Sequence, residues 1–266
     1  MPVELSAQEI WNDIQRIHDV SPLVHNITNY VVMNTTANAL LAIGASPVMA
    51  HAQEEIADMV GIASALVINI GTLSRDWIVA MKRAMESAAE KAIPIIFDPV
   101  GAGATAFRTR TCHELLEQVR PTVIRGNASE IMALVDSTVQ TKGVDSLIDI
   151  APVKAAQSLA KRLSCVVVVS GESDLIADGR TCVYTHNGHS LMPKVTGLGC
   201  TASALMGAFS AVQSNPLLAA AHTMAVMGIC GEIAAERASG PGSLQMHFID
   251  SLYQLSEQQI VDHLKG

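Results

Sequence analysis

Aromatic side chains are scarce in this 266-residue chain: four Phe, three Tyr and two Trp make up only 3% of it, while hydrophobic residues reach 49%. The interior must therefore be filled by Ala, Val, Ile, Leu and Met, which favours closely packed helices and sheet. Charge is also sparse, at 16% of residues with a formal net charge of -8. No run of Lys and Arg interrupts that acidity, so a surface that grips a nucleic-acid backbone is excluded. A single phosphate-bearing ligand is not, because it needs only a few local donors and cations. The five cysteines are odd in number, widely spaced and form no CxxC pair. That excludes a disulfide framework and a structural zinc site, and the expected setting is reducing and cytoplasmic. The first 21 residues carry Glu4, Glu9, Asp13 and Asp19 and lack a basic start followed by an apolar stretch, so they do not read as a signal peptide. The most apolar region, 216–235, is broken by His222, Gly228, Gly231 and Glu232, so a buried helix is expected there and no membrane span. Low charge and a positive mean hydropathy of +0.32 point to surface buried against further copies of the chain. No linker, low-complexity tract or internal repeat appears, and one domain over 1–266 is expected.

Short apolar runs at 65–70, 93–97, 122–124 and 165–170 predict strands. Between them, 75–91, 127–135 and 152–163 read as helices, and a further helix is predicted over 30–43, ending at Gly44. Strands without polar alternation, separated by helices, predict an α/β fold with a largely parallel sheet covered on both faces. After Ser170 the pattern predicts an antiparallel hairpin, 174–177 and 181–184, around Asp178-Gly179. Helices are predicted over 201–212, 216–237 and 248–263, with Gly240-Pro241-Gly242 breaking the chain between the last two.

Candidate chemistry collects where strands and turns end. Gly197-Leu198-Gly199-Cys200 leads into a helix of small residues, so its backbone can approach a ligand and the helix start offers unpaired N–H groups with partial positive charge. A phosphate gaining charge in transfer would be stabilised there, an effect worth roughly 3 kcal/mol per donor in oxyanion holes. On its own the turn reads more readily as an ordinary helix entrance, and its companions along the chain reverse that balance. Cys200 at that helix start is expected to have a lowered thiol pKa and to serve as base, nucleophile or orienting group; as a thiol nucleophile it would need a histidine such as His186, His189 or His222. Asp98, leading the stretch Asp98-Pro-Val-Gly101-Ala-Gly103, emerges at the carboxyl end of a strand, where ligands of open α/β sheets bind. Arg125 in Arg125-Gly-Asn127-Ala-Ser-Glu130 supplies a cation beside the same edge. Asp98 or Glu130 suits Mg²⁺ held through water, while Asn127 and Glu130 also fit a helix-capping pair. Ser170 gives a third polar strand end. The segments 25–29 and 44–49, the latter ending at Met49, are candidates for an acceptor pocket. His186-x-x-His189 is too weak a pattern to indicate a metal.

Six segments, in order along nearly the whole chain, resemble the hydroxyethylthiazole kinase family: PLVHNITNYVVMN from Pro22, GASPVMA from Gly44, DPVGAGA from Asp98, RGNASEI from Arg125, VVVSGE from Val167 and TGLGCTASA from Thr196. The resemblance implies a ribokinase-like α/β fold without a separate lid domain. It implies transfer of the ATP γ-phosphate to 4-methyl-5-(2-hydroxyethyl)thiazole, with Mg²⁺, giving the thiazole phosphate of thiamine synthesis and salvage. By matched position, Met49 and Gly197 correspond to substrate contacts, Arg125 and Ser170 to ATP contacts, and Cys200 to the catalytic cysteine. The family is similar to homotrimers with sites between subunits. Leu198 departs from the pattern, threonine being frequent there, and Cys200 stands where the wider ribokinase-like group usually has aspartate. A kinase of another small alcohol, such as a hydroxymethylpyrimidine, and an inactive thiazole-binding protein are the alternative readings.

Overall fold

The structure is a computed structural model that describes residues 4–135 and 150–265. In chain order the first half holds α1 (Ala7–Val20), β1 (Leu23–Ile27), α2 (Met33–Ala42), β2 (Ser46–Val48), α3 (Ile56–Ile62), β3 (Ala65–Asn69), α4 (Arg75–Lys91), β4 (Ile95–Asp98), α5 (Ala106–Gln118), β5 (Val123–Asn127) and α6 (Ala128–Leu134). The second half holds α7 (Ile150–Leu163), β6 (Val166–Ser170), β7 (Asp174–Ala177), β8 (Cys182–Thr185), α8 (Leu198–Val212), α9 (Pro216–Arg237), α10 (Pro241–Gln254) and α11 (Glu257–His263).

The eight strands form one sheet in the order β2-β1-β3-β4-β5-β6-β7-β8. The first six run parallel, and β7 and β8 are added antiparallel as the predicted hairpin. Each strand residue faces one side of the pleat and its neighbour the other. Thus Val24, Val67, Ile96, Val123 and Val168 join one core cluster, with Ile10 and Ile14 of α1, Leu40 of α2, Phe209 of α8, Val226 of α9 and Leu244 of α10. Leu66, Ile68, Ile95, Phe97, Ile124 and Val167 join the other, with Ile56 of α3, Trp77 of α4, Cys112 of α5, Ile131 of α6 and Leu159 of α7. Both faces are apolar, so the sequence shows no alternation. This is the expected covered parallel sheet.

Parallel direction matters for the site, because it puts the carboxyl ends of β1 to β6 along one edge of the sheet. A buried pair secures the first helix beneath that frame: His222 Nδ1 of α9 lies 2.7 Å from Asp13 Oδ2 of α1, and Gln213 and Arg16 also donate to Asp13.

Several sequence expectations need correction. Strands β1 and β2 lie in segments read only as pocket-shaping loops, because Asn26 and Pro47 break their apolar runs; β2 is an edge strand, where Pro is tolerated. Helices α1, α3 and α5 were not predicted. The predicted helix over 30–43 begins only at Met33. Gly240-Pro241-Gly242 is the start of α10 and not only a break, in keeping with Pro as a first helical residue. The single helix predicted over 248–263 is two, separated at Leu255–Ser256, where Ser256 caps α11 in a capping box with Gln259. Among the described residues α9 alone is long and apolar enough to cross a membrane, and it is mostly buried between other helices.

Candidate active site

Strand ends and one helix start build the site. Asn69 closes β3 and pairs in register with Asp98, which closes β4; Asn127 and Ser170 pair likewise at the ends of β5 and β6. Above them α8 packs on β1, β3 and β4, with Gly197 as its N-cap, so that Leu198, Gly199 and Cys200 are its first three helical residues. Gly197 holds φ 87°, a left-handed conformation, and a Cβ there would lie 2.6 Å from Val32 Cγ1. Only glycine meets both conditions without strain. The sequence placed the helix start at Thr201; it lies three residues earlier, which draws Gly199 and Cys200 into the first turn.

Asp98 is fully buried. Its Oδ2 accepts from Asn69 Nδ2 at 2.8 Å and from Ser203 Oγ at 2.7 Å. Its Oδ1 is buried with no hydrogen-bond partner among the described residues. Burial pushes the carboxyl up to about 6, opposed by the Arg125 charge and the two hydrogen bonds. At neutral pH Asp98 is therefore mostly ionised, with one oxygen free, an arrangement suited to a hard cation.

Arg125 reaches across the same edge. Its Nη2 donates to Ser170 Oγ at 2.8 Å, and its Nε is buried without a partner among the described residues. Its Nη1 occupies the space beside Gly199, 2.6 Å from where a Cβ would stand. A guanidinium at the positive end of a helix is unfavourable alone and favourable once an anion arrives.

Glu130 plays a narrower part than the sequence allowed. Its Oε1 accepts from Gly101 N at 2.8 Å and its Oε2 from Asn127 N at 2.8 Å, while Asn127 Oδ1 accepts from Glu130 N. This is the anticipated capping pair, extended to clamp the glycine loop after Asp98. Both carboxylate oxygens are committed to backbone, so Asp98 is the better placed of the two for a cation. From the other side Arg108 donates to the carbonyls of Ile70, Gly71 and Val100, tying the loops after β3 and β4 together.

Cys200 overturns one expectation. The thiol was expected to be acidified by the helix start, but burial pushes it up to about 11, and the Asp98 charge adds to that; hydrogen bonds from Asn69 and Asn29 and the Arg125 charge oppose it. Its Sγ accepts from Asn29 Nδ2 at 3.4 Å. A thiol in that state is neutral at pH 7, which favours a hydrogen-bond donor over a base. Met49 is half-buried just beyond edge strand β2, one strand from β1. It is therefore brought to the Cys200 side of the sheet, while Arg125 and Ser170 stand on the opposite side of Asp98. Five strand intervals separate β2 from β6, about 24 Å at the usual spacing near 4.8 Å. Sequence reasoning missed Asn69 and Ser203. Asn69 is the one polar residue of an apolar strand, a signal that was there to read; Ser203 is indistinguishable from its small helical neighbours.

The hydroxyethylthiazole kinase family model matches residues 14–258. The chain belongs to that family. A hydroxyethylthiazole kinase of Syntrophus aciditrophicus (strain SB) is 58% identical over 265 residues, covering 99% of this chain and 98% of the relative. The solved structure of the hydroxyethylthiazole kinase protein from Pyrococcus horikoshii OT3 is 44% identical with a TM-score of 0.90, covering 97% of this chain and 98% of that one. A ribokinase-like superfamily protein from Enterococcus faecalis V583 matches at a TM-score of 0.63 and 14% identity, covering 97% and 91% of the two chains, a likeness of fold. Membership makes the chain a phosphotransferase with an alcohol acceptor, and its fold the ribokinase-like one anticipated.

Proposed function

We propose that the chain, acting as one ribokinase-like domain, transfers the γ-phosphoryl group of ATP to the hydroxyl of 4-methyl-5-(2-hydroxyethyl)thiazole, at the edge between Met49 and Ser170. The observation that carries the reading is Arg125: a guanidinium whose Nε has no partner among the described residues is set against the first turn of α8, a pairing of positive groups that an anion would stabilise. Arg125 and Ser170 hold the nucleotide phosphates, the α8 N–H groups meet the charge that develops on the transferred group, and Met49 and Gly197 flank the acceptor. The alcohol oxygen bonds to the γ-phosphorus as the bond to the β,γ-bridging oxygen breaks; that electron pair leaves with ADP, and one proton is released per turnover. Cys200, as a neutral thiol, orients the acceptor and does not take its proton. Asp98 Oδ1, ionised and free, fits Mg²⁺ held directly or through water, which when bound would neutralise charge on the β- and γ-phosphates.

The enzyme is read as cytoplasmic, in keeping with five free cysteines, and as acting on small molecules, with neither nucleic acid nor membrane as partner. It is also read as a homotrimer with sites between subunits. Exposed Tyr30 and Val31, beside Asn29, supply apolar surface for a second copy.

The test is ADP formation across a panel of ATP with the thiazole alcohol, a hydroxymethylpyrimidine and simple sugars, each with and without Mg²⁺. Turnover requiring both the thiazole alcohol and Mg²⁺ is expected. No turnover above the ATP-only background with any acceptor would overturn the proposal.

A further inference from the structure

The hydrogen-bond polarity of the whole centre is set by one backbone group. Gly71 N–H lies 2.9 Å from the Asn69 side chain and can only donate, so the atom facing it must be Oδ1. Asn69 must then turn its NH₂ toward Asp98 Oδ2 at 2.8 Å. Because Asn69 Oδ1 also faces Asn29 at 2.9 Å, Asn29 must present its own NH₂ there, and the same nitrogen lies 3.4 Å from Cys200 Sγ. A lone pair of the sulfur is thus engaged as acceptor. All three amide and carboxyl side chains are at most 4% exposed, so water does not scramble these assignments.

Two consequences meet at the reacting atoms. Asp98 Oδ2 is saturated by Asn69 and Ser203, which leaves the buried Oδ1 as the oxygen without a partner among the described residues. Cys200, accepting from Asn29, keeps its S–H to donate. We propose that Asn69 is a positioning residue for phosphoryl transfer: oriented by Gly71 N–H, it presents Asp98 Oδ1 to the reacting groups and, through Asn29, turns the Cys200 S–H toward the acceptor alcohol. The inference rests on the kinase reading above, and it adds a residue that touches neither substrate. Other charged or titratable groups that act on Asp98 are Arg125 and Glu130, and Cys112 and Arg108 stand behind its loop. None of these donates to Oδ2, so none can substitute for Asn69.

Asn69→Asp tests this with little change in shape. The new side chain still offers an oxygen to Gly71 N–H but sets a second buried carboxyl against Asp98 Oδ2, where the two can share a proton, so Asn69→Ser, which adds no charge, is measured beside it and is expected to show the same loss. The measurements are kcat, KM for ATP and for the thiazole alcohol, ADP affinity by calorimetry, and melting temperature. The expected result is a loss in kcat of about 50-fold, as for loss of a hydrogen bond to a charged group, with ADP affinity within about threefold of wild type. A kcat within about threefold of wild type overturns the inference, as does a loss that merely parallels loss of ADP affinity. If Asn69→Asp does not fold, Asn69→Ser is read by the same criteria. Wild-type enzyme in the same assay keeps the two readings apart: its failure to turn over the thiazole alcohol refutes the function, whereas a normal wild type with an indifferent variant refutes only the role of Asn69.

Discussion

Gly199→Ala should weaken nucleotide binding while leaving the protein folded, because a gain in helix propensity is opposed by the displacement of a partly buried arginine. Gly199 lies inside the first turn of α8 with ordinary helical backbone, so alanine lowers the entropy cost of the helix by up to about 1 kcal/mol. For a chain of this size that alone would raise Tm by up to about 3 °C, but the Arg125–Ser170 bond lost in the same variant is worth more, so the net expectation is an unchanged or slightly lowered Tm. The added methyl would stand 2.6 Å from Arg125 Nη1, too close to remain. Since the obstructing atom is the far end of a flexible side chain, the guanidinium moves and the fold does not. Moving it breaks its 2.8 Å bond to Ser170 and withdraws it from the helix start. A charge-assisted hydrogen bond of this kind is worth about 1.5–3 kcal/mol, or about 10- to 150-fold in affinity. Calorimetric titration of ADP and of a non-hydrolysable ATP analogue, together with a scanning-calorimetry melt, reads both quantities on the same sample. If the variant stays folded and nucleotide affinity remains within about threefold, Arg125 does not hold the phosphates and the site is misassigned.

Other outcomes follow from the charge states. A Cys200 thiol near 11 is about one part in ten thousand thiolate at pH 7 and a hundredfold more at pH 9, so kcat should show no tenfold-per-unit rise across that range; such a rise, abolished in Cys200→Ala, would restore the thiolate as base. Cys200→Ser, which keeps a donor, should retain kcat within about tenfold of wild type and exceed Cys200→Ala. Asp98 carries a folded-state value near 6, above its ordinary 3.8, so it contributes stability that is present below about 3.8 and is lost as pH rises through about 6. Asp98→Asn should therefore raise Tm at pH 7.5 and flatten its fall between pH 4 and 7, while abolishing turnover. An unchanged Tm at pH 7.5 would show that Asp98 is not held ionised against its burial.

The corrected helix boundaries show where sequence reasoning failed and why. Strands flanked by helices on both sides lose the two-residue alternation that identifies a strand, so β3 to β6 were legible only as short apolar runs. Strands β1 and β2 carry polar residues or proline and were not legible at all. Small-residue helices hide their polar members: Ser203 matters only because α8 lies against β4, and nothing in its neighbours announces that contact. Thiol acidity failed in a different way. The helix start is a local feature and was read to within three residues, but burial, which outweighs it, is not a local property.

What the sequence determined by itself is the kind of site: glycines at 197 and 199 before a helix, Asp98 and Arg125 after strands, and Ser170 at another strand end, in an order along the chain that matched a known family. Those are local signals, since turn chemistry and strand ends are written in a few adjacent residues. Tertiary structure alone decided which atoms are free to react. It saturated Glu130 with backbone donors, left one oxygen of Asp98 and one nitrogen of Arg125 without partners among the described residues, and raised the Cys200 thiol. Each of these depends on partners up to 171 positions away in the chain, as Asn29 and Cys200 are, and on burial that only the packed sheet and helices create.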